Sequence, residues 1–273
     1  MIQLVSPAKL NLFFRVLRKR ADGYHDIASL FQAIDLSDRL FLSWSDQDQI
    51  TCTDPTIPCD ASNLVSKALK IFRSRFPFDG CVTIHLEKKI PIQAGLGGGS
   101  SNAATTLWGL NELTGQRASI SQLTEMAAAI GSDVPFFFSS GTAYCTGRGE
   151  ILEPFDLPTP LSGWLAKPTY GLSTPLVYKE TRIEELPPRD PRKALNAYPY
   201  FFNDLEIPSF RLEPRLIPFR LELLKMGFEQ VIMTGSGTAF FCLGGEPNPV
   251  EGVSFYPFAS LKRSGFWYSP GSA

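Results

Sequence analysis

The chain has 273 residues, 44% hydrophobic and 19% charged, with 21 Phe, 8 Tyr and 4 Trp, enough apolar surface for one large or two small packed domains and against intrinsic disorder. A formal net charge of −1 gives no reason to expect nucleic acid or an anionic membrane as a partner. No apolar run approaches the roughly 18–20 residues of a membrane span.

From Met1 the chain enters β-like sequence without a basic leader, so a cytoplasmic location is expected. Leu10, Leu12, Phe14 and Val16 alternate with Asn11, Phe13 and Arg15, as the two faces of a strand do. Asp22-Gly23 is a turn signal, and Ile27, Ser29 and Phe31 resume the period of two. Residues 60–63 look like a helix start, followed by Leu64, Ala68 and Ile71 at i, i+4, i+7. Val82, Ile84 and Leu86 form another alternating strand, which puts His85 on its opposite face as a surface or packing residue. After a glycine-rich loop, Ala103, Leu107, Leu110 and Leu113 mark a helix closed by Gly115. Ser119 and Gln122 have capping-box spacing before a helix carrying Leu123, Ala127 and Ile130, with Gly131 at C′.

Proline-rich stretches at 153–168 and 187–191 then break the pattern and predict a boundary near residue 155, dividing the chain into 1–155 and 156–273. The later part predicts a strand at 163–166 and a helix with Ile217, Leu221 and Leu224 inward, stopped by Gly227. Strands at 231–233 and 239–243 flank Thr234-Gly235-Ser236-Gly237-Thr238. Strands first, then helices around a glycine loop, indicate an α+β class. The five cysteines are scattered without a C-x-x-C pair, against a disulfide framework or zinc site. No heptads are visible, so a monomer or weak homodimer is expected, and the tail at 264–273 has no readable pattern.

The strongest chemical signal is Pro91, Ile92, Gln93, Ala94, Gly95, Leu96, Gly97, Gly98, Gly99, Ser100 and Ser101. Four glycines in five positions let backbone N–H groups turn toward a ligand, and the helix that follows adds unpaired donors and a partial positive charge. Ser100 and Ser101 can add hydroxyls to a phosphate or a magnesium ion. The loop lacks the Lys of a P-loop and the third glycine of the dinucleotide fingerprint. A crowded turn without a ligand is the bland alternative. Lys9, by itself, would snorkel to water, and Asp133 could be a helix cap. Were the two to meet, each would favour the other's ionised form, leaving a carboxylate available as a base. Residues 234–238 are either a plain hairpin turn or a second loop closing over phosphate or substrate.

Taken together, Pro7-Ala8-Lys9-Leu10-Asn11, the G-L-G-G-G-S-S loop and T-G-S-G-T resemble, in order and spacing, the three motifs of the GHMP kinases. Arg20-Ala21-Asp22-Gly23-Tyr24-His25 and Gly131-Ser132-Asp133-Val134-Pro135-Phe136-Phe137 narrow the resemblance to the branch acting on a cytidylyl sugar-alcohol. It implies a GHMP kinase fold: an N-terminal domain like ribosomal protein S5 domain 2 and a ferredoxin-like C-terminal domain. The implied activity is transfer from ATP, with Mg²⁺, to the 2-hydroxyl of a cytidine-diphosphate-linked methylerythritol in non-mevalonate isoprenoid synthesis. By the same resemblance, Lys9 and Asp133 form the catalytic pair and residues 91–101 hold the ATP phosphates. Asn63 and Lys88 line the adenine pocket, Tyr24 and His25 hold the cytidine, Tyr178 and Lys179 close over the same base, and Asn11 lies near the erythritol end. Magnesium ligands are not legible. Gln93-Ala94 departs from the usual glycine run, and Tyr178 stands where Phe is expected. The alternatives are another kinase of the superfamily, of homoserine or mevalonate type, and a non-catalytic nucleotide-binding relative.

Overall fold

A computed structural model describes residues 1–268. Among the described residues, eleven strands form two sheets, of seven and four strands. Strands β1 (Ile2–Lys19) and β2 (His25–Ser45) make a long antiparallel hairpin whose closing pair is Lys19 with His25. Gly23, at φ 86°, supplies the left-handed residue of the connecting turn. Strand β3 (Gln49–Cys52) runs parallel to β4 (Cys81–Glu87), joined through helix α1 (Leu64–Arg75). The far edge of β2 is shared: residues 39–45 pair with β4, and residues 29–32 with β5 (Thr142–Thr146), which pairs with β6 (Ile151–Pro154).

Helices α2 (Gly98–Leu113) and α3 (Ile120–Ile130) cover the first sheet. The Ser119–Gln122 capping box forms as predicted. Gly131 ends α3 in extended backbone at φ −179°, which any residue adopts, and not as a left-handed C′ residue. The tail returns to this layer: Trp267 stacks on Trp108 of α2 with ring centroids 5.2 Å apart and donates its indole N–H to the Val5 carbonyl at 2.7 Å. The rest of the unread tail, residues 269–273, lies outside the described residues.

The second sheet holds β7 (Ser162–Pro168), β9 (Gln230–Met233), β10 (Phe240–Leu243) and β11 (Val253–Ala259), antiparallel in the order β11-β7-β10-β9. Between β7 and β9 the chain forms helices α4 (Thr174–Glu180) and α5 (Pro191–Asn196), then β8 (Phe202–Asn203), then helices α6 (Glu206–Leu212) and α7 (Leu216–Lys225). Strand β8 pairs in parallel with β1 and so belongs to the first sheet. The expected inward face of α7 is wrong. Leu216, Phe219 and Leu223 are buried, whereas Ile217, Leu221 and Leu224 are exposed. The helix has apolar residues nearly all round, so periodicity alone does not select a face.

The simple two-face alternation expected for β1 is also corrected. Its register against β2 shifts between Asn11 and Phe13, and nearly every residue from 5 to 16 is buried. Leu10, Leu12 and Phe13 join Leu165, Ile232 and Phe241 of the second sheet in one core cluster. Phe14 and Val16 join Phe240, Leu216 and Phe219 in another. An extra residue in a strand re-aims the side chains beyond it, so β1 contributes to both clusters. Burying a large apolar side chain contributes about 1.5–3 kcal/mol, and this seam is what sets the two sheets in register around the cleft described next.

Candidate active site

The glycine-rich loop leads from β4 into α2. Gly95 and Gly97 are left-handed at φ 78° and 67°, and Gln93 takes the same region at φ 52°. Gly97 precedes α2 with no side-chain cap, so the first-turn N–H groups of that helix are left for a ligand. The loop interlocks with residues 234–238. A Cβ at Gly95 would overlap the Thr234 carbonyl, and one at Gly237 would overlap the Ala94–Gly95 peptide. Close backbone approach is therefore the reason for glycine at both positions.

Asp38, which carries no signal in the sequence, anchors the entrance to the loop. It is fully buried, pairs with Lys88, and accepts from the backbone N–H groups of Lys89 (2.8 Å) and Ile90 (2.9 Å) and from the Asn102 amide (2.8 Å). Lys88 reaches the cleft wall, but its ammonium is held by Asp38. Ser101 departs from expectation: it is buried off the cleft wall, and its hydroxyl accepts from Ser6 at 2.8 Å. Ser100 does line the cleft.

Lys9 enters from β1, whose backbone N–H donates to the Leu96 carbonyl at 2.9 Å. Its side chain is 4% exposed, and its Nζ lies 3.5 Å from Asp133 Oδ2 and 4.8 Å from the centre of the Phe31 ring. A Cβ at Gly97 would come within 2.9 Å of Lys9 Cγ, so the lysine stem runs directly beneath the loop. Asp133 follows α3 in the turn that leads into the buried run at residues 135–138. It does not cap that turn; its carboxylate faces Lys9 and is about one-third exposed to the cleft.

Asn11 does not line the cleft. It is buried behind Lys9, whose Nζ donates to Asn11 Oδ1 at 2.6 Å, while Asn11 Nδ2 donates to Ser29 Oγ at 2.9 Å and Ser29 Oγ donates to the Phe13 carbonyl. The Asn11 backbone N–H donates to the Thr234 hydroxyl at 3.0 Å, tying β1 to the second glycine loop.

At the other end of the cleft, Tyr24 is 55% exposed in the β1–β2 turn. His25 is buried and stacks on Tyr178 with centroids 5.3 Å apart. Burial, with help from Lys19, pushes the His25 imidazole below its ordinary 6.5, which favours the neutral ring. Burial also raises the Tyr178 hydroxyl well above its ordinary value, and the charge of Asp133 adds to this. Tyr178 thus packs against His25 on the cleft wall. Lys179 lines the cleft from α4 and is exposed. Asn63 lines the mouth but spends its amide locally: Oδ1 accepts from Val65 N–H at 2.9 Å, and Nδ2 donates to the Pro58 carbonyl at 2.7 Å.

One continuous cleft of about 1060 Å³ joins Lys9, Asp133, residues 91–100, Asn63, Lys88, Tyr24, His25, Tyr178 and Lys179. Two groups on its wall carry no motif signal. Arg148 sits between Gly147 and Gly149, and its guanidinium carbon lies 5.1 Å from the centre of the Tyr24 ring. Thr174 of α4 shares a 2.7 Å hydrogen bond with Ser236, linking α4 to the second loop. His85, read as a packing residue, shares a 2.7 Å hydrogen bond with Thr51 away from the cleft.

Residues 63–141 match the GHMP kinases N terminal domain family. The chain is 46% identical to the 4-diphosphocytidyl-2-C-methyl-D-erythritol kinase of Protochlamydia amoebophila (strain UWE25), over 98% of this chain and 93% of that protein. It is 42% identical to the chloroplastic 4-diphosphocytidyl-2-C-methyl-D-erythritol kinase of Oryza sativa subsp. japonica, over 91% of this chain and 65% of the rice protein. A crystal structure of a 4-(cytidine 5'-diphospho)-2C-methyl-D-erythritol kinase superposes with a TM-score of 0.80 at 34% identity, covering 95% of this chain and 99% of that one. A homoserine kinase from Cytophaga hutchinsonii shares the fold, with a TM-score of 0.66 at 18% identity over 96% of this chain and 95% of that one.

Proposed function

Given that the chain belongs to the GHMP kinases, in the 4-diphosphocytidyl-2-C-methyl-D-erythritol kinase family, we propose how its cleft divides the work of that reaction. The protein is an ATP-dependent small-molecule kinase that phosphorylates the 2-hydroxyl of 4-(cytidine 5'-diphospho)-2-C-methyl-D-erythritol for isoprenoid synthesis. The observation that carries the division of roles is the pairing of Lys9 with Asp133 directly beneath the glycine loop, in the same cleft as Tyr24 and His25.

Residues 91–100 and the N-terminus of α2 take the ATP phosphates, with Asn63 and Lys88 toward the adenine end. Asp133 orients the acceptor hydroxyl and accepts its proton. Lys9 offsets the negative charge that develops at the transferred group. In a loose transition state, positioning and electrostatics supply most of the rate, and proton acceptance comes late. His25, kept neutral by burial, can both donate to and accept from a cytosine edge. Tyr24 offers a ring face for stacking, worth about 1–3 kcal/mol per base. Lys179 adds a cation at the same end, and Tyr178 sets the orientation of His25.

Magnesium fits the donor chemistry of this wall. The Ser100 hydroxyl on this wall is an oxygen donor of the kind that would hold Mg²⁺ alongside water and substrate phosphates. When bound, the ion neutralises charge on the β- and γ-phosphates. The two sheets support a division near residue 155 into an N-terminal ATP-binding and catalytic domain and a C-terminal domain, although β8 reaches back into the first sheet. The partners are small molecules, with the protein acting as a monomer or weak homodimer in the cytoplasm. Among the described residues no helix is long and apolar enough to cross a membrane.

The test is a coupled ADP-release assay with ATP, Mg²⁺ and four acceptors: the cytidylyl-methylerythritol, mevalonate, homoserine and galactose. Turnover with the first alone is expected. Turnover with another acceptor would keep the Lys9–Asp133 assignment and remove that of Tyr24 and His25. ATP binding without turnover on any acceptor would favour a non-catalytic relative.

A further inference from the structure

The turn after β5 lies between the two ends of the cleft. Its first glycine accepts, through the Gly147 carbonyl, from the Ile27 N–H at 2.7 Å, two residues beyond His25. Its last, Gly149, stands beside the transfer end: a Cβ there would lie 3.5 Å from Asp133 Oδ1. Both glycines are left-handed, at φ 70° and 123°, and Glu150 accepts from the Arg148 N–H at 2.7 Å, so the backbone of the turn is pinned. The Arg148 side chain projects from this pinned turn onto the cleft wall, with its guanidinium over Tyr24.

The charges of the cleft separate into two sets. Lys88 is paired with Asp38 and Lys9 is held by Asn11 and Asp133, while Lys19 and Lys179 line the cleft without an ion pair among the described residues. Arg148 pairs with Glu150, Nε to Oε1 at 3.6 Å, but makes no side-chain hydrogen bond to a carboxylate, and its charge also acts on Asp22. Its planar fork, with its terminal NH₂ groups uncommitted, is suited to paired phosphate oxygens. The acceptor carries a diphosphate joining its base to its sugar alcohol. With the base at Tyr24 and His25 and the alcohol at Asp133, that diphosphate has to pass the turn from which Arg148 projects.

We propose that Arg148 is a specificity-determining residue that binds the diphosphate of the acceptor while backing the Tyr24 ring against the base. This rests on the assignment of Tyr24 and His25 to the cytidine. One arginine then couples recognition of base and of charge, so cytidine without phosphates gains only the stacking part of its contribution.

The experiment compares cytidine and cytidine diphosphate as competitive inhibitors against the acceptor, in wild type, Arg148→Gln and Arg148→Lys, with thermal unfolding as the check that each variant is folded. Loss of a charge-assisted phosphate contact predicts that Arg148→Gln weakens cytidine diphosphate by about tenfold or more. Cytidine should change less than about threefold, with the KM for ATP unaltered. Arg148→Lys should recover part of the loss for cytidine diphosphate, because it keeps the charge and loses the fork. Equal weakening of both inhibitors in Arg148→Gln would overturn the diphosphate contact and leave Arg148 as a support for Tyr24. No change in either would overturn both roles. If neither inhibitor competes with the acceptor in wild type, the cytidine assignment itself fails and the Arg148 proposal falls with it. Competition by cytidine that survives an Arg148 failure keeps that assignment.

Discussion

Asn11 Oδ1 accepts a 2.6 Å hydrogen bond from Lys9 Nζ, and this contact, more than the 3.5 Å approach to Asp133, holds the ammonium in place. The amide is itself held by Ser29, which donates to the Phe13 backbone. The ammonium is thus fixed by a chain of three hydrogen bonds rooted in a β-hairpin. Asn11→Ala is expected to lower kcat by about 10–100-fold while leaving the KM for ATP unchanged. A rise in the acceptor KM with kcat preserved would instead make Asn11 a substrate contact.

Asp133→Asn removes the proton acceptor and keeps the shape of the site. A loss of roughly 10²–10⁴-fold in kcat is expected from removing general-base help, with ATP binding by calorimetry near that of wild type. Turnover surviving within a few-fold would exclude Asp133 as the base.

The interlocked glycine loops predict a sharp response to a single methyl group. Gly95→Ala sets a left-handed alanine, costing about 1–2 kcal/mol for the backbone alone, and drives its Cβ into the Thr234 carbonyl. The KM for ATP should rise by about tenfold or more, with a lower unfolding temperature. Gly99→Ala, where the nearest atom to an added Cβ is 3.7 Å away and the helix begins, is the matched control and should be far milder.

His25 gives the acceptor KM a pH dependence with a definite sign. Its imidazole is held below the ordinary 6.5, first by burial and then by Lys19. The acceptor KM should therefore rise on acidification only as the pH falls through the lowered value of the folded protein, below the ordinary 6.5. The same shift affects stability. Below pH 6.5 the unfolded chain takes up the proton first, so His25 makes folding less favourable as the pH drops toward its folded value. The acid limb of the acceptor KM profile should be present in wild type and absent in His25→Gln, whose KM should also be higher at neutral pH because the imidazole contact to the base is lost.

The tail is part of the fold that carries the phosphate loop. Trp267 is buried against Trp108 of α2 and Phe138, and its indole N–H is satisfied by Val5. Trp267→Ala should lower the unfolding free energy by about 3 kcal/mol, measured by urea denaturation.

Much of this architecture was legible in local pattern. The turn at Gly23, the cap of α3, strands β1, β2 and β4 and the glycine loop each rest on near-neighbour rules of sterics, capping and alternation. The motifs also named most of the cleft wall, because residue types such as consecutive glycines before a helix have few other uses. Tertiary structure decided what depends on partners distant in the chain. The inward face of α7 was chosen by what it packs against, and the faces of β1 were reassigned by a register shift that lets one strand serve two core clusters. Asp38, Arg148 and the true position of Asn11 became visible only when residues 50 to 223 positions apart were brought together. The sequence states which groups are present; which of them are free for a substrate and which are already spent on one another is set by packing, because a buried polar group must be satisfied by whatever neighbour the fold supplies.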